Sequence, residues 1–288
     1  MTTTGPEGLP TLTFTDDPDT GARLAHVRLN RPEKLNSLTL GVLGELVSVA
    51  GRIRADRTVR AVVLSGEGRS FCSGLDFASA LGDPRALAAN FLPRPWKGTN
   101  VFQEACWAFR RLPVPVIAAV HGHCLGGGLQ LAMAADWRIT TAEARWSILE
   151  SKWGLVPDMT GMQSLSQQLR ADVLKRLTMT GEILDGATAV EYGLASEVVD
   201  GSDAPVDAPV DAPVDAAVTL AGRIATRSPD AVAYGKRLVD ETWNRGPRAT
   251  FACERLRQFR LLVASNTAVA RRAAARHTTA VFTRRNVR

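Results

Sequence analysis

Polar and apolar residues alternate through Thr11-Leu12-Thr13-Phe14-Thr15, the two-residue period of a half-buried strand, and residues 23–29 read as a second strand. Asp16-Asp17-Pro18-Asp19-Thr20-Gly21 between them is dense in turn formers, which predicts a hairpin. Thr39 stands as an N-cap before Leu40, Leu43, Leu46, Val47 and Ala50, whose spacing predicts a helix up to about Asp56. The run Ala61-Val62-Val63-Leu64 is continuous rather than alternating and stops at Ser65-Gly66-Glu67-Gly68, the mark of a buried strand. A helical stretch from about Asn100 to Arg111 leads to another buried strand at 114–120; a glycine-rich turn, a helix and a strand at 137–140 follow. Short buried strands recurring with turns and helices predict an α/β protein.

Beyond Ala195-Ser196-Glu197-Val198-Val199 the pattern is almost wholly helical, with helices expected over 218–223, 229–243, 248–264 and 267–282. Between the two regimes, Asp-Ala-Pro-Val occurs three times in succession from Asp203 to Val214. Proline at every fourth position disfavours an ordinary helix or a central strand, so the repeat reads as a semi-rigid surface spacer. The expected organisation is a core over 1–200, a linker over 201–217 and a helical region over 218–288.

The 288 residues are 45% hydrophobic and 22% charged, which excludes collagen-like, disordered and disulfide-scaffold classes. No stretch approaches the ~18 unbroken apolar residues of a membrane span. Met1-Thr2-Thr3-Thr4-Gly5-Pro6-Glu7 has neither a basic start nor an apolar stretch, so no secretory signal is expected. Cys72, Cys106, Cys124 and Cys253 lack paired spacing and read as reduced thiols of a cytoplasmic protein. The net charge is +6, and Arg271, Arg272, Arg276, Arg284, Arg285 and Arg288 crowd the chain's end. A basic tail fits nucleic acid, an anionic small molecule or plain solubility, and composition does not choose among them.

Three segments carry candidate chemistry. In Ser65-Gly66-Glu67-Gly68-Arg69-Ser70-Phe71-Cys72-Ser73-Gly74-Leu75-Asp76 a buried strand runs into a turn where Gly74 permits an unusual backbone path. In His121-Gly122-His123-Cys124-Leu125-Gly126-Gly127-Gly128-Leu129-Gln130 three glycines open a helix, whose free N–H groups favour a developing negative charge. The spacing fits neither a P-loop nor a dinucleotide fingerprint, and no second ligand pair completes a zinc site with His121, His123 and Cys124. Each loop ends a buried strand and can aim one N–H at a common point, an oxyanion hole for the enolate or tetrahedral anion of a carbonyl substrate. The third segment, Trp146 to Asp158, sets Glu150 and Asp158 among apolar residues, where desolvation raises a carboxyl pKa toward neutrality. Pairing of Glu150 with Lys152 or Arg145 on a solvated face is the competing reading. No G-x-S-x-G elbow occurs, which counts against a serine hydrolase.

With these motifs in order, the chain closely resembles the crotonase superfamily, the enoyl-CoA hydratase/isomerase family, from about Thr11 to Phe282. Leu29-Asn30-Arg31-Pro32-Glu33-Lys34-Leu35-Asn36-Ser37-Leu38 and Gly181-Glu182-Ile183-Leu184-Asp185-Gly186-Ala187 also look like family signatures. The resemblance implies a spiral of ββα units with a C-terminal helical region that forms trimers or hexamers, and a CoA thioester as substrate rather than a separate cofactor. It places oxyanion-hole N–H groups on Leu75 and Gly127, a catalytic glutamate on Glu150, and substrate contacts on Lys34, Leu35, Ser73, Asp76 and Gly126. Where typical hydratases carry a second glutamate this chain has Gln130, and Asp158 stands where dienoyl-CoA isomerases of the family keep an acid. Double-bond isomerisation is therefore favoured narrowly over addition of water to a 2-enoyl-CoA. An RNA-binding homologue and a catalytically silent one are the alternatives of other classes, though nucleic acid is disfavoured because the arginine-rich end has almost no interleaved aromatics. Trp107, Trp137 and Trp243 are expected in the core or an interface, whereas Trp96, Trp146 and Trp153 lie nearer the proposed pocket. Cys72 and Cys124 are expected to pack as small hydrophobes.

Overall fold

A computed structural model of the chain describes residues 8–17, 21–76, 79, 84–200 and 211–287. Its strands are β1 (Thr11–Asp16), β2 (Arg23–Leu29), β3 (Val59–Gly66), β4 (Val116–Val120), β5 (His123–Leu125), β6 (Trp137–Thr141), β7 (Arg145–Ser147) and β8 (Glu197–Val199). Six form one sheet in the order β1-β2-β3-β4-β6-β8, while β5 and β7 make a separate parallel pair. The expected pairing of the first two strands is present, antiparallel with Thr11 opposite Arg28, and the other ladders of the large sheet are parallel. After a strand of the large sheet the chain crosses to the small layer. Cys72 beyond β3 bridges Cys124 in β5, β5 pairs β7, and Trp146 of β7 bridges Leu184. Strand, small-layer partner, then helix is the ββα spiral.

The helices are α1 (Leu40–Ala55), α2 (Pro84–Phe91), α3 (Val101–Arg110), α4 (Gly127–Met133), α5 (Gly161–Leu165), α6 (Ala171–Thr180) and α7 (Gly186–Tyr192), then α8 (Ala212–Ala225), α9 (Pro229–Thr242), α10 (Pro247–Leu262) and α11 (Ser265–Arg276). Thr39 caps α1 by accepting the Val42 N–H (3.2 Å), and Asn100 and Gln103 form a reciprocal capping box on α3. Both faces of the large sheet are covered, which is why its strands read as unbroken apolar runs. Val62, Leu64, Val116, Ala118 and Val120 join the core shared with α1 and α3, while Ala61, Val63, Ile117, Ala119 and Ile139 form a second cluster.

That second cluster is closed by Ala217, Ala221 and Ala225 of α8, spaced one turn apart so that small side chains let the helix lie close to the sheet. Here the sequence expectation is corrected. The helix begins at Ala212, inside the span read as linker, because Pro213 falls in its first turn where a missing N–H costs nothing. The first two copies of the repeat lie outside the described residues.

A second correction concerns the chain's end. The last helix stops at Arg276, with His277 in the left-handed region (φ 51°), short of the expected 282. The following residues return to the core. Arg285 is fully buried; its N–H donates to the Arg57 carbonyl (3.1 Å) and its Nη2 to the carbonyls of Ile53 (3.3 Å), Arg54 (2.8 Å) and Asp56 (3.0 Å). A guanidinium thus closes the carbonyl end of α1, where the helix dipole favours a cation. Asp230, buried at the start of α9, accepts the N–H groups of Asn286 (2.5 Å) and Val287 (3.3 Å) and a bond from Asn266 Nδ2 (2.9 Å). At least Arg285 of the basic tail is therefore internal scaffold. No helix among the described residues is long and apolar enough to cross a membrane.

Candidate active site

The site is assembled at the carboxyl ends of β3 and β4. Asn36, buried and left-handed (φ 56°), accepts the Arg31 N–H (2.8 Å) and donates Nδ2 to the carbonyls of Glu67 (2.9 Å) and Ser70 (2.7 Å). It stitches the segment after β2 to the loop after β3, a physical role for the conspicuous Asn-Arg-Pro stretch. Farther along that loop, Leu38 donates to the Gly74 carbonyl (2.8 Å) and accepts the Asp76 N–H (2.9 Å). A parallel bridge of this kind turns the N–H of the intervening Leu75 away from Leu38.

Gly127 opens α4, so its N–H is one of the helix's unpaired donors. A β-carbon built on Gly127 would lie 3.7 Å from the Leu75 nitrogen, and one on Gly74 3.6 Å from the Gly127 nitrogen. The two amides are close neighbours, and the approach leaves no room for side chains: Gly74 has φ 101°, and a β-carbon on Gly127 would meet Met159 Sδ at 2.9 Å.

Glu150 starts a 3-10 turn that ends at Trp153, and its carboxylate is buried. Oε1 accepts from Gln130 Nε2 at 2.6 Å; Oε2, equally buried, bonds to no group among the described residues. Desolvation raises the Glu150 pKa above the ordinary carboxyl value; the backbone N–H groups of Glu150 and Leu149 and the bond from Gln130 oppose the rise, and the charge of Asp158 adds to it. Burial also raises Asp158. Gln130 itself is buried on α4, and its Oε1 accepts the N–H groups of Met159 (2.7 Å) and Gly161 (3.0 Å). Two donors identify that atom as the amide oxygen, so the nitrogen faces Glu150.

A cavity of about 550 Å³ is lined by Ser73, Leu75, Gly126, Gly127, Gln130, Glu150 and Asp158 together. Lys34, Leu35 and Asp76 are not in that wall. The carbonyls of Lys34 and Leu35 accept the Ser73 hydroxyl (3.4 Å) and N–H (2.9 Å), so both stand directly behind it. Asp76 is engaged by the Ser79 N–H (3.1 Å) and Arg31 Nη1 (3.2 Å), which hold its carboxyl below the usual range. Sequence reasoning missed the apolar side of the cavity: Leu87 and Phe91 of α2, Phe102 of α3, and Leu155, Val156 and Met159. Leu87 and Phe91 are four residues apart after a proline, a helix signal that was legible.

Of the tryptophans near the site only Trp153 lines this cavity. Trp146 is fully buried with Nε1 on Thr140 Oγ1 (3.1 Å), and Trp96 stands exposed beside a different groove at α1 and α3. Trp137 and Trp243 are exposed rather than core residues. Burial drives the Cys72 thiol up to about 12 and Cys124 higher than an ordinary thiol, which suits packing rather than nucleophilic attack. No cluster of three metal-ligating side chains occurs among the described residues: His121 Nε2 donates to the Gly68 carbonyl (2.7 Å), and His123 Nδ1 shares a bond with Ser70 Oγ (2.9 Å).

Comparison with known proteins adds an independent line. A family model described as enoyl-CoA hydratase/isomerase matches residues 19–265. The (E)-benzylidenesuccinyl-CoA hydratase of Thauera aromatica is 33% identical over 180 residues, 62% of this chain and 67% of its own length. The mitochondrial Delta(3,5)-Delta(2,4)-dienoyl-CoA isomerase of Mus musculus is 36% identical over 219 residues, 73% of this chain. The match spans 64% of that isomerase, less than two thirds of its length. The crystal structure of a putative enoyl-CoA hydratase from Streptomyces coelicolor A3(2) superimposes with a TM-score of 0.82 at 29% identity, covering 98% of this chain and 96% of that one.

Proposed function

The chain belongs to the enoyl-CoA hydratase/isomerase family, and from that premise we propose that it is an acyl-CoA-processing enzyme that moves a double bond along an enoyl thioester. The observation that carries this reading is the chemistry around Glu150. Its Oε2 is buried without a partner in the cavity wall, while the neighbouring polar position on α4 holds an amide. An amide does not exchange protons at neutral pH. One carboxylate of raised pKa is what a proton shift needs, and it lines the same cavity as two closely placed backbone donors.

In the proposed cycle the thioester oxygen lies between the N–H groups of Leu75 and Gly127. Glu150 removes a proton from carbon; the electrons of that C–H bond form a new C=C bond, the old double bond migrates, and charge collects on the thioester oxygen. Collapse of this enolate takes the proton back from Glu150 at a different carbon, which re-forms the thioester carbonyl and restores the Glu150 carboxylate; where Asp158 supplies the proton instead, Glu150 releases its own to solvent and Asp158 takes one up before the next turnover. Each oxyanion donor supplies about 3 kcal/mol of transition-state stabilisation in comparable sites. Addition of water is the second reading, favoured by the presence of Asp158 as a second, half-buried carboxyl lining the same cavity. The apolar side formed by Phe91, Phe102 and Trp153 suits an extended or aryl-bearing acyl group. Coenzyme A enters as part of the substrate.

The test is direct. Purified enzyme is assayed with a 3-enoyl-CoA, a 3,5-dienoyl-CoA and crotonyl-CoA. The expected result is faster turnover of one of the first two, with Glu150→Gln lowering kcat by about 10²–10⁴-fold. Turnover of crotonyl-CoA alone would favour hydration, no turnover of any of the three would support the silent homologue, and an unchanged rate in Glu150→Gln would remove Glu150 as the base. The exposed outer faces of α9 and α10 support a homotrimer or hexamer, and the free cysteines support a reducing compartment such as the cytoplasm.

A further inference from the structure

We propose that Asn100 and Gln103, at the start of α3, form a neutral donor subsite that selects acyl thioesters carrying a carbonyl oxygen on the chain beyond the reacting carbons. This inference rests on the reading of the cavity as the seat of an acyl-CoA. The two side chains cap each other's backbone: Asn100 Oδ1 accepts the Gln103 N–H (2.8 Å), and Gln103 Oε1 accepts the Asn100 N–H (3.1 Å). Each amide oxygen is thereby fixed, and each amide nitrogen is left over. Neither nitrogen bonds to any group among the described residues, and neither is sealed off from solvent. Asn100 is only 6% exposed and both residues line the cavity, so their NH2 groups open into it.

These donors stand in apolar company. Phe102 lies between them in the chain, and its ring packs on Phe91 of α2 with centroids 5.8 Å apart; both rings line the same cavity. An N–H that loses its water to an apolar acyl chain is left unpaired, so a chain that brings an acceptor is favoured over one that does not. The other polar side chains are already committed. Gln130 engages both ends of its amide, with Glu150, Met159 and Gly161, and the Ser73 hydroxyl donates to the Lys34 carbonyl (3.4 Å). The first turn of α3 adds the N–H groups of Val101 and Phe102, which meet no acceptor among the described residues, and the positive end of the helix dipole.

Charge decides which acceptor fits. Among the described residues no lysine, arginine or histidine lines the cavity, whereas Glu150 and Asp158 both do. A free carboxylate on the acyl chain would enter beside two acids with no cation to pair it, so a neutral carbonyl is the matching group. Glu104, the acid of α3, lines a separate groove and is held there by Lys97 Nζ (2.9 Å) and Arg111 Nη2 (2.5 Å). The subsite thus discriminates oxo-acyl from plain alkyl thioesters.

Binding of saturated thioesters tests this without turnover. Calorimetry on the wild-type protein compares octanoyl-CoA with its 5-oxo, 6-oxo and 7-oxo derivatives and with octanedioyl-CoA. At least one oxo derivative is expected to bind about tenfold or more tightly than octanoyl-CoA. Two variants keep the caps while removing a donor: Asn100→Asp, whose carboxylate still accepts the Gln103 N–H, and Gln103→Glu, which preserves the reciprocal pair. Each should cut the ratio of oxo to alkyl affinity to about threefold or less. Asn100→Ser, also a cap, removes the same nitrogen without adding charge and stands in if Asn100→Asp does not fold. Equal affinity for octanoyl-CoA and all three oxo derivatives, tightest binding of octanedioyl-CoA, or a ratio unmoved in the variants overturns the proposal, even if the enzyme isomerises a plain 3-enoyl-CoA. Protein inert toward every enoyl-CoA that still shows the oxo preference would sink the enolate reading and leave the subsite standing, whereas failure of every thioester to bind removes both.

Discussion

Burial makes the Glu150 carboxylate useful and, by the same physics, costly to the fold. Its pKa in the folded state lies above the unfolded value. The folded state therefore binds a proton more tightly, so this group's contribution is most favourable below the unfolded pKa and is lost as pH rises through the folded one. Glu150→Gln is accordingly expected to raise the melting temperature at pH 7, and the gain should vanish by about pH 4, near the unfolded carboxyl pKa. Calorimetry at the two pH values checks it; a loss of stability at pH 7 would contradict the assignment. His26 behaves oppositely. Burial lowers its pKa from 6.5 to about 4, so the unfolded chain takes up the proton first and stability falls as pH drops from 6.5 toward 4. His26→Gln, which keeps a partner for Ser65 Oγ (now 2.9 Å from Nε2), should lessen the drop in melting temperature between pH 7 and 5. At this scale the sequence was informative where chemistry sits inside a motif: the glycine run at 126–128 marks a helix start open to an anion, and the family resemblance singles out Glu150 and Gln130. The contacts that assign Gln130 its neighbours come from Met159 and Gly161, whose return to α4 is a tertiary event that no local pattern encodes.

Elements whose signals are local were legible, and those that depend on distant partners were not. The β1–β2 pairing, α1 with its Thr39 cap, α3 with Asn100, and the unbroken apolar strands β3 and β4 all follow from period and capping. The start of α8 was misread because proline was weighed as a helix breaker, whereas at a first turn it is tolerated. The end of the chain was misread because Arg285 looks like one more solvated charge until the carbonyls of Ile53, Arg54 and Asp56 are placed around it. Removing that plug leaves those carbonyls short of a donor. Arg285→Met should lower unfolding free energy by about 1–3 kcal/mol in urea titration. It should leave kcat unchanged, because α1 ends at the start of β3 while the cavity lies beyond the strand's other end. Equal stability would mean that water replaces the guanidinium without loss.

The whole molecule keeps one part of its surface conspicuously apolar. α10 has no buried residue, yet Phe251, Leu256, Phe259 and Leu262 project from it, with Val239 and Trp243 exposed on or just after the neighbouring α9. Patches of this kind mark association. If the C-terminal helices carry the proposed oligomer, Leu256→Glu with Phe259→Glu should shift sedimentation to a smaller species while helical circular dichroism is retained; an unchanged sedimentation coefficient would exclude these faces. The other large-scale feature is α8, which covers Val63, Ile117 and Ile139 from a point far along the polypeptide. During synthesis those strands emerge well before their cover does. A ribosome-bound intermediate holding only the first two hundred residues would present a greasy, half-finished sheet, a natural client for chaperones. Closure of this face of the sheet is thus a late docking event at long sequence separation, with its entropic penalty and its exposure to aggregation.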